Sequence, residues 1–200
     1  MYLLIKPASG ACDLGCKYCF YTDEMSCRSE AVRGMMKTET VSRILGKALE
    51  RCAEHMPPEP LSVGFQGGEP LLAGIDFYRF VCDFVEKNNT RGVRVSYFLQ
   101  TNGTHLDAEF AEFFAAHGFL VGLSVDGPKE YHDRHRVTRD GRSCFNRVMR
   151  AAENMRRAGV EFNTLTVVTS ASATHAQALY GFFARSGFRY QQYIPCVAPF

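Results

Sequence analysis

The sequence has no marked excess of either charge: 23 Lys and Arg stand against 21 Asp and Glu, a formal net charge of +2. That balance gives no support to bulk electrostatic attraction to nucleic acid. No apolar run approaches the ~18 residues that a membrane span needs, which excludes a spanning helix. The opening Met-Tyr-Leu-Leu-Ile-Lys is too short for the apolar region of a secretory signal and reads as a first strand. Linkers and low-complexity tracts are lacking too, so one domain over residues 1–200 is the simplest organisation. The six histidines are scattered. His132 and His135 lie three apart on a polar stretch, without the look of a metal pair. One stretch is locally basic, from Arg134 to Arg157. Arg147, Arg150, Arg156 and Arg157 there fall at helical surface positions and read as a solvated face.

What remains is ordinary for a globular chain, 46% hydrophobic and 22% charged, and long enough to bury a substantial core. The eight cysteines, with no export segment recognised, point to a reducing cytoplasm, where clustered thiols bind metal more often than they form disulfides. Three of them, Cys12, Cys16 and Cys19, fall within eight positions, while Cys27, Cys52, Cys82, Cys144 and Cys196 are dispersed.

The hydrophobic pattern alternates between strand and helix. Strand-like runs cover Leu3–Pro7, Leu61–Gln66, Val93–Gln100, Phe119–Val125, Glu161–Thr169 and Arg189–Val197. Between them lie one-sided helical stripes: Val41, Ile44, Leu45, Ala48, Leu49 and Cys52; Phe77, Phe80, Val81, Phe84 and Val85; Phe110, Phe113 and Phe114; Phe145, Val148, Met149 and Ala152; Leu179, Phe182 and Phe183. Gly118, Gly159 and Gly187 each stand between a stripe and the next strand, where glycine closes a helix. Strands joined through helices run parallel with right-handed crossovers. The expected fold is therefore α/β: a partial (β/α)6 parallel barrel with its ligands at the C-terminal edge of the strands. The distinctive residues fall at that edge. Cys12–Cys19 follow the first strand, Gly67-Gly68-Glu69-Pro70 the second, Thr101-Asn102-Gly103 the third and Asp126-Gly127-Pro128 the fourth. The last of these reads as a turn.

Cys12-Asp-Leu-Gly-Cys16-Lys-Tyr-Cys19 is a C-x3-C-x2-C run. Soft thiolates hold iron–sulfur clusters, and three cysteines on one loop can ligate three irons of a cubane, leaving the fourth open to an outside ligand. Structural zinc is the alternative, but it takes four ligands, commonly in two knuckles, and Cys27 has no knuckle partner. A set of unrelated buried cysteines is the other.

The cysteine run, with Tyr18 before its last cysteine, resembles the signature of the radical S-adenosylmethionine (SAM) enzymes. Narrower words surround it: Leu3-Leu-Ile-Lys-Pro-Ala-Ser, Cys19-Phe-Tyr21, Phe65-Gln-Gly-Gly-Glu-Pro70, Leu99-Gln-Thr-Asn-Gly-Thr104, Val121-Gly-Leu-Ser-Val-Asp-Gly-Pro128, Phe162-Asn and Tyr193-Ile-Pro-Cys196. Together they are similar to the anaerobic sulfatase-maturating enzymes, along the whole of the 200 residues. The resemblance implies a [4Fe-4S] cluster on Cys12, Cys16 and Cys19, and SAM contacts from Tyr18, Gly68, Ser124, Arg136 and Val197. It implies that a 5′-deoxyadenosyl radical takes a hydrogen from Cβ of a cysteine or serine in a sulfatase polypeptide, leading to Cα-formylglycine with the help of a low-potential electron donor. In these terms Gly68 lets backbone approach the methionine end of SAM. Ser124 offers a hydroxyl, Arg136 a planar fork for a carboxylate, and Val197 apolar surface at the end of the sixth strand. Tyr21, Gln66 and Gln100 face the same cavity and are candidates for substrate contact.

Members of that family continue well past this length, into a domain that holds auxiliary clusters and an aspartate thought to accept the substrate's proton. Both fall beyond Phe200, so no catalytic residue is assigned within this chain, which is expected to be a radical SAM core without that domain. Rival functions are another radical SAM peptide-modifying enzyme, a non-catalytic iron–sulfur electron carrier, and a zinc-stabilised binding module.

Overall fold

The computed structural model describes residues 1–197. Six parallel strands, β1 (Tyr2–Ile5), β2 (Leu61–Phe65), β3 (Val95–Thr101), β4 (Leu120–Ser124), β5 (Glu161–Val168) and β6 (Gln191–Pro195), form one sheet in the order of the chain. Registers such as Leu4↔Gly64, Gly64↔Phe98, Leu99↔Val121, Ser124↔Leu165 and Val167↔Ile194 run through it without a break. The sheet is not closed, since β1 and β6 remain edges, as a partial barrel requires. The strands match the apolar runs to within a few residues. At the sixth the difference matters: β6 stops at Pro195, so Val197 stands two residues past the strand rather than ending it, 73% exposed.

Eight helices occur among the described residues. They are α1 (Phe20–Ser26), α2 (Thr38–Ala53), α3 (Ile75–Asn88), α4 (Ala108–Ala116), α5 (Lys129–His135), α6 (Phe145–Ala158), α7 (Ser170–Ala173) and α8 (Ala176–Arg185), with a 3-10 turn at Pro70–Ala73. The five long stripes became α2, α3, α4, α6 and α8. Helix α6 shows how local chemistry sets an element: Val148, Ala151, Ala152 and Met155 make one buried stripe, and Gly159, at a left-handed φ of 79°, closes the end.

The core lies on the convex side, between sheet and helices. Along β3 the alternation sends Tyr97 and Leu99 into it, while Phe98 and Gln100 face the concave side. Phe65, Tyr78, Phe114 and Phe119 meet there, fully buried and ring against ring. Burying each such ring stabilises by roughly 2–3 kcal/mol. The concave side is emptier. Glycines replace side chains at Gly64 and Gly122, and a cavity of about 240 Å³ runs past them and Phe98 toward the strands' C-terminal ends. Gln66 and Gln100 separate it from a second cavity of about 310 Å³ above.

Candidate functional site

The upper cavity collects residues from the loops after β1, β2 and β3 and from the ends of β4, β5 and β6. Its walls include Cys12, Cys16 and Cys19, and all five residues expected to contact SAM, Tyr18, Gly68, Ser124, Arg136 and Val197. Tyr21, Gln66 and Gln100 line it as well. Three thiols thus share one wall. Three thiolates on one loop fit a [4Fe-4S] cubane, which can leave one iron open, better than structural zinc, which takes four protein ligands.

The cysteine loop is held from three directions. The first is the loop after β2, where Glu69 N–H donates to the Ala11 carbonyl at 2.7 Å. The second is the loop after β3. Asn102 Nδ2 and Thr104 Oγ1 donate to the Asp13 carboxylate at 2.9 and 2.7 Å, and His105 Nε2 lies 3.5 Å from it. Burial pushes this carboxyl up, but the bonds from His105, Thr104 and Asn102 outweigh that and hold it well below the usual range. The third is the segment after α5: Gly15 N–H donates to Val137 O at 2.8 Å, Lys17 N–H to His135 O at 3.0 Å, and Arg139 Nε to Cys12 O at 2.9 Å.

Within this frame the thiols are partly buried. Burial pushes Cys12 up to about 12, against a bond from the Leu14 N–H. It raises Cys16 too, with the Arg136 charge pulling the other way. Burial thus keeps the free Cys12 and Cys16 thiols protonated, and cluster loading must release those protons.

Glu69 is the hub of the loops after β2 and β3. It is 1% exposed, and its carboxylate accepts from Leu71 N at 3.0 Å, Thr101 Oγ1 at 2.7 Å and Asn102 N at 2.8 Å. Burial raises it to about 7 despite these three bonds. Gly68, just before it, has a left-handed φ of 55°, and a Cβ there would fall on the Ala11 carbonyl oxygen and 2.9 Å from the carbonyl carbons of Ala11 and Gly10. The space denied to a side chain at 68 is filled by the cysteine loop, a requirement of the fold separate from any close approach of ligand.

Asp126 is more than a turn residue. Gly127 does make the bend, at a φ of 113°, but Asp126 itself is 3% exposed. Its Oδ2 accepts from the Tyr18 hydroxyl and, at 3.1 Å, from Arg136 Nε; its Oδ1 accepts from Val167 N–H at 3.0 Å. Arg136 is 8% exposed with its guanidinium 5.5 Å from the Tyr18 ring. Burial works against its charge, but Asp126, Tyr18 and Cys16 raise its affinity for the proton above the ordinary value. One buried carboxylate therefore sets two of the expected SAM contacts and ties them to β5. Ser124, 6% exposed at the end of β4, keeps its hydroxyl without a protein partner among the described residues. His132 has a core role: its Nδ1 accepts weakly from Asp126 N–H at 3.5 Å and its Nε2 faces Cys144 Sγ at 3.3 Å, so the ring is neutral.

A family model described as the radical SAM superfamily matches residues 7–175. The chain belongs to the radical SAM superfamily. Among curated relatives, the cysteine-type anaerobic sulfatase-maturating enzyme of Clostridium novyi is 43% identical over 98% of this chain and 51% of that enzyme. The serine-type anaerobic sulfatase-maturating enzyme of Bacteroides thetaiotaomicron is 32% identical over 98% of this chain and 46% of that enzyme. Among solved structures, native anSMEcpe with bound AdoMet and Cp18Cys peptide is similar at a TM-score of 0.90 and 39% identity, over 99% of this chain and 51% of that one. This radical SAM chain spans about half the length of the curated relatives it matches. No helix among the described residues is long and apolar enough to cross a membrane.

Asp13, Glu69, Asn102 and Asp126 all lie inside the motifs that carry the family resemblance, but their spacing does not mark them as the framework of the site. Nothing in the sequence tied Asp126 to Tyr18, 108 positions away.

Proposed function

We propose that this chain is the cluster- and SAM-binding part of an enzyme that oxidises a cysteine or serine of a sulfatase polypeptide to Cα-formylglycine. The observation that carries the proposal is the shared cavity: Cys12, Cys16 and Cys19 open onto the same space as Tyr18, Gly68, Ser124, Arg136 and Val197. In this reading the three cysteines hold three irons of a [4Fe-4S] cluster. Bound together, the cluster and SAM supply one electron and a 5′-deoxyadenosyl radical able to take a hydrogen from the substrate.

The chain's own residues position and shield. Asp126 fixes the direction of Tyr18 and Arg136, and Arg136 brings a permanent positive charge to the wall for a carboxylate to meet. Ser124 has a hydroxyl to offer. Gln66, Gln100 and Tyr21 present amide and phenol groups toward the cavity, suited to an extended peptide. The largely apolar wall of the upper cavity limits water there. Similarity to both cysteine-type and serine-type maturating enzymes supports sulfatase maturation with either target. A low-potential donor is needed to supply the electron.

The test uses the full-length protein, reconstituted without oxygen. With SAM and dithionite it is expected to form 5′-deoxyadenosine, and Cys16→Ala to form none. With sulfatase peptides bearing the target cysteine or serine, mass spectrometry is expected to show conversion to the aldehyde. SAM cleavage without that conversion of either peptide would reject the sulfatase assignment. Absence of 5′-deoxyadenosine from a cluster-loaded protein would reject the whole proposal.

A further inference from the structure

We infer that a basic groove on the outer side of the cysteine loop is the docking surface for an acidic, low-potential one-electron carrier protein, an inference that rests on the cluster proposed for Cys12, Cys16 and Cys19. The groove, about 320 Å³, lies between the loop after β3 and the first turns of α6, and His105, Asp107, Arg147 and Arg150 line it. Both arginines are exposed, and neither enters an ion pair among the described residues. The one carboxylate on the lining, Asp107, caps α4 by accepting from Phe110 N–H at 3.0 Å.

One contact joins the groove to the cysteine loop: His105, on its lining, reaches Asp13 at 3.5 Å. Outside the groove, Arg139, an exposed cation on the turn linked by the Val137↔Ser143 bridge, donates to the Cys12 carbonyl at 2.9 Å. Cys12 and Asp13 are therefore the partition: the Cys12 thiol opens onto the inner cavity, while its carbonyl meets Arg139 and its neighbour's carboxylate meets His105 outside. Between a donor in the groove and the Cys12 thiol stand His105 and Asp13. Such a donor approaches from the side that SAM and substrate do not use.

Arg147 and Arg150 lie on the solvated face of α6 and take no part in its packing. Helix α6 packs through Val148, Ala151, Ala152 and Met155, and no acidic residue stands in its first turn. Arg147 and Arg150, three apart, repel one another, and Arg147 adds positive charge where the helix dipole is already positive. An acidic residue would suit the helix better at 147, in the first turn. Departures from local preference of this kind are expected where function claims the surface. With a chain net charge of only +2, two arginines without ion pairs, against the single carboxylate of Asp107, give the groove a local positive excess that suits a small acidic protein partner rather than the long phosphate backbone of a nucleic acid. In the step itself the carrier loses one electron and the cluster gains one, with no atom transferred.

The experiment takes the full-length, cluster-loaded protein and a purified acidic ferredoxin as probe. Their dissociation constant is measured by isothermal titration calorimetry at about 50 and 200 mM salt, across which screening deepens. The Arg147→Glu/Arg150→Glu double variant is expected to weaken binding at least tenfold at low salt and to flatten the salt dependence. Arg91→Glu, before β3 at the opposite end of the strands, should change neither. Dithionite-driven 5′-deoxyadenosine formation should stay within twofold of wild type in every variant. Should the charge reversal disturb folding, as judged by circular dichroism and iron content, Arg147→Ala/Arg150→Ala replaces it, with a threefold or greater loss expected. Unchanged affinity in a folded, cluster-loaded variant would overturn the inference, as would equally tight, arginine-dependent binding of a nucleic-acid oligomer. Failure of the wild type to cleave SAM with dithionite would instead strike at the underlying functional proposal.

Discussion

Replacing Gly68 by alanine separates two reasons for a glycine there, the fit of the fold and the approach of a ligand. Its φ of 55° is left-handed, which costs a residue with a Cβ about 1–2 kcal/mol. The added methyl also lands on the Ala11 carbonyl oxygen. That oxygen cannot simply swing away, because the Glu69 N–H holds it at 2.7 Å. Forcing a methyl into a filled site costs typically ~1–3 kcal/mol. The expected total is about 2–5 kcal/mol, concentrated where the cysteine loop meets the loop after β2. Gly141 is the control: its φ is 79°, but a Cβ there meets nothing within 4 Å, so Gly141→Ala should cost only the backbone term. Thermal unfolding of the full-length variants and iron content after anaerobic reconstitution give the readout. Gly68→Ala should melt well below Gly141→Ala and take up less iron. If the two melt together and Gly68→Ala keeps its iron while losing only affinity for SAM, the steric reasoning is wrong and ligand approach alone accounts for the glycine.

Asp126→Asn keeps the shape of the side chain but removes the charge that holds Arg136, leaving a buried cation unpaired. A loss of about 3–5 kcal/mol is expected in denaturant unfolding, and a loss under 1 kcal/mol would contradict the role assigned to the pair. His132 makes the fold acid-sensitive. Burial, with Arg136 nearby, lowers it to about 4 from an ordinary 6.5. Because the folded form resists protonation, stability is intact above pH ~6.5 and falls as pH drops toward ~4, by at most about 3 kcal/mol. Melting temperatures of wild type and His132→Gln across that range check it: the variant should show a shallower slope, and parallel slopes would contradict the assignment.

The strands were legible because each is an apolar run bounded by polar or glycine punctuation, and the long helices because their stripes repeat over two turns or more. Helices α1, α5 and α7, of seven residues or fewer, are too short for a period to show, and Lys-Glu-Tyr-His-Asp-Arg-His of α5 has no apolar stripe. Strand ends carry a weaker signal: the apolar run continues to Val197, while the strand stops at Pro195. At the site, motif spacing drew attention to the cysteines and to the glycine loop, since these lie close in sequence. It could not reveal that Asp13 reaches Asn102 and Thr104, or that Asp126 reaches Tyr18, Arg136 and the β5 backbone. Those contacts exist only once parallel strands bring successive loops to one edge. Asp126 in particular looked like a turn former because Gly127 and Pro128 follow it, and local chemistry gave no sign of its burial.

The most direct test is the electron paramagnetic resonance spectrum of the reduced, full-length protein before and after SAM is added. A cluster held by Cys12, Cys16 and Cys19 with one iron left open should contribute a reduced [4Fe-4S] signal that shifts when SAM binds, and Cys16→Ala should abolish that SAM-sensitive component. A spectrum with no component moved by SAM, or a SAM-sensitive component that survives Cys16→Ala, would contradict the account.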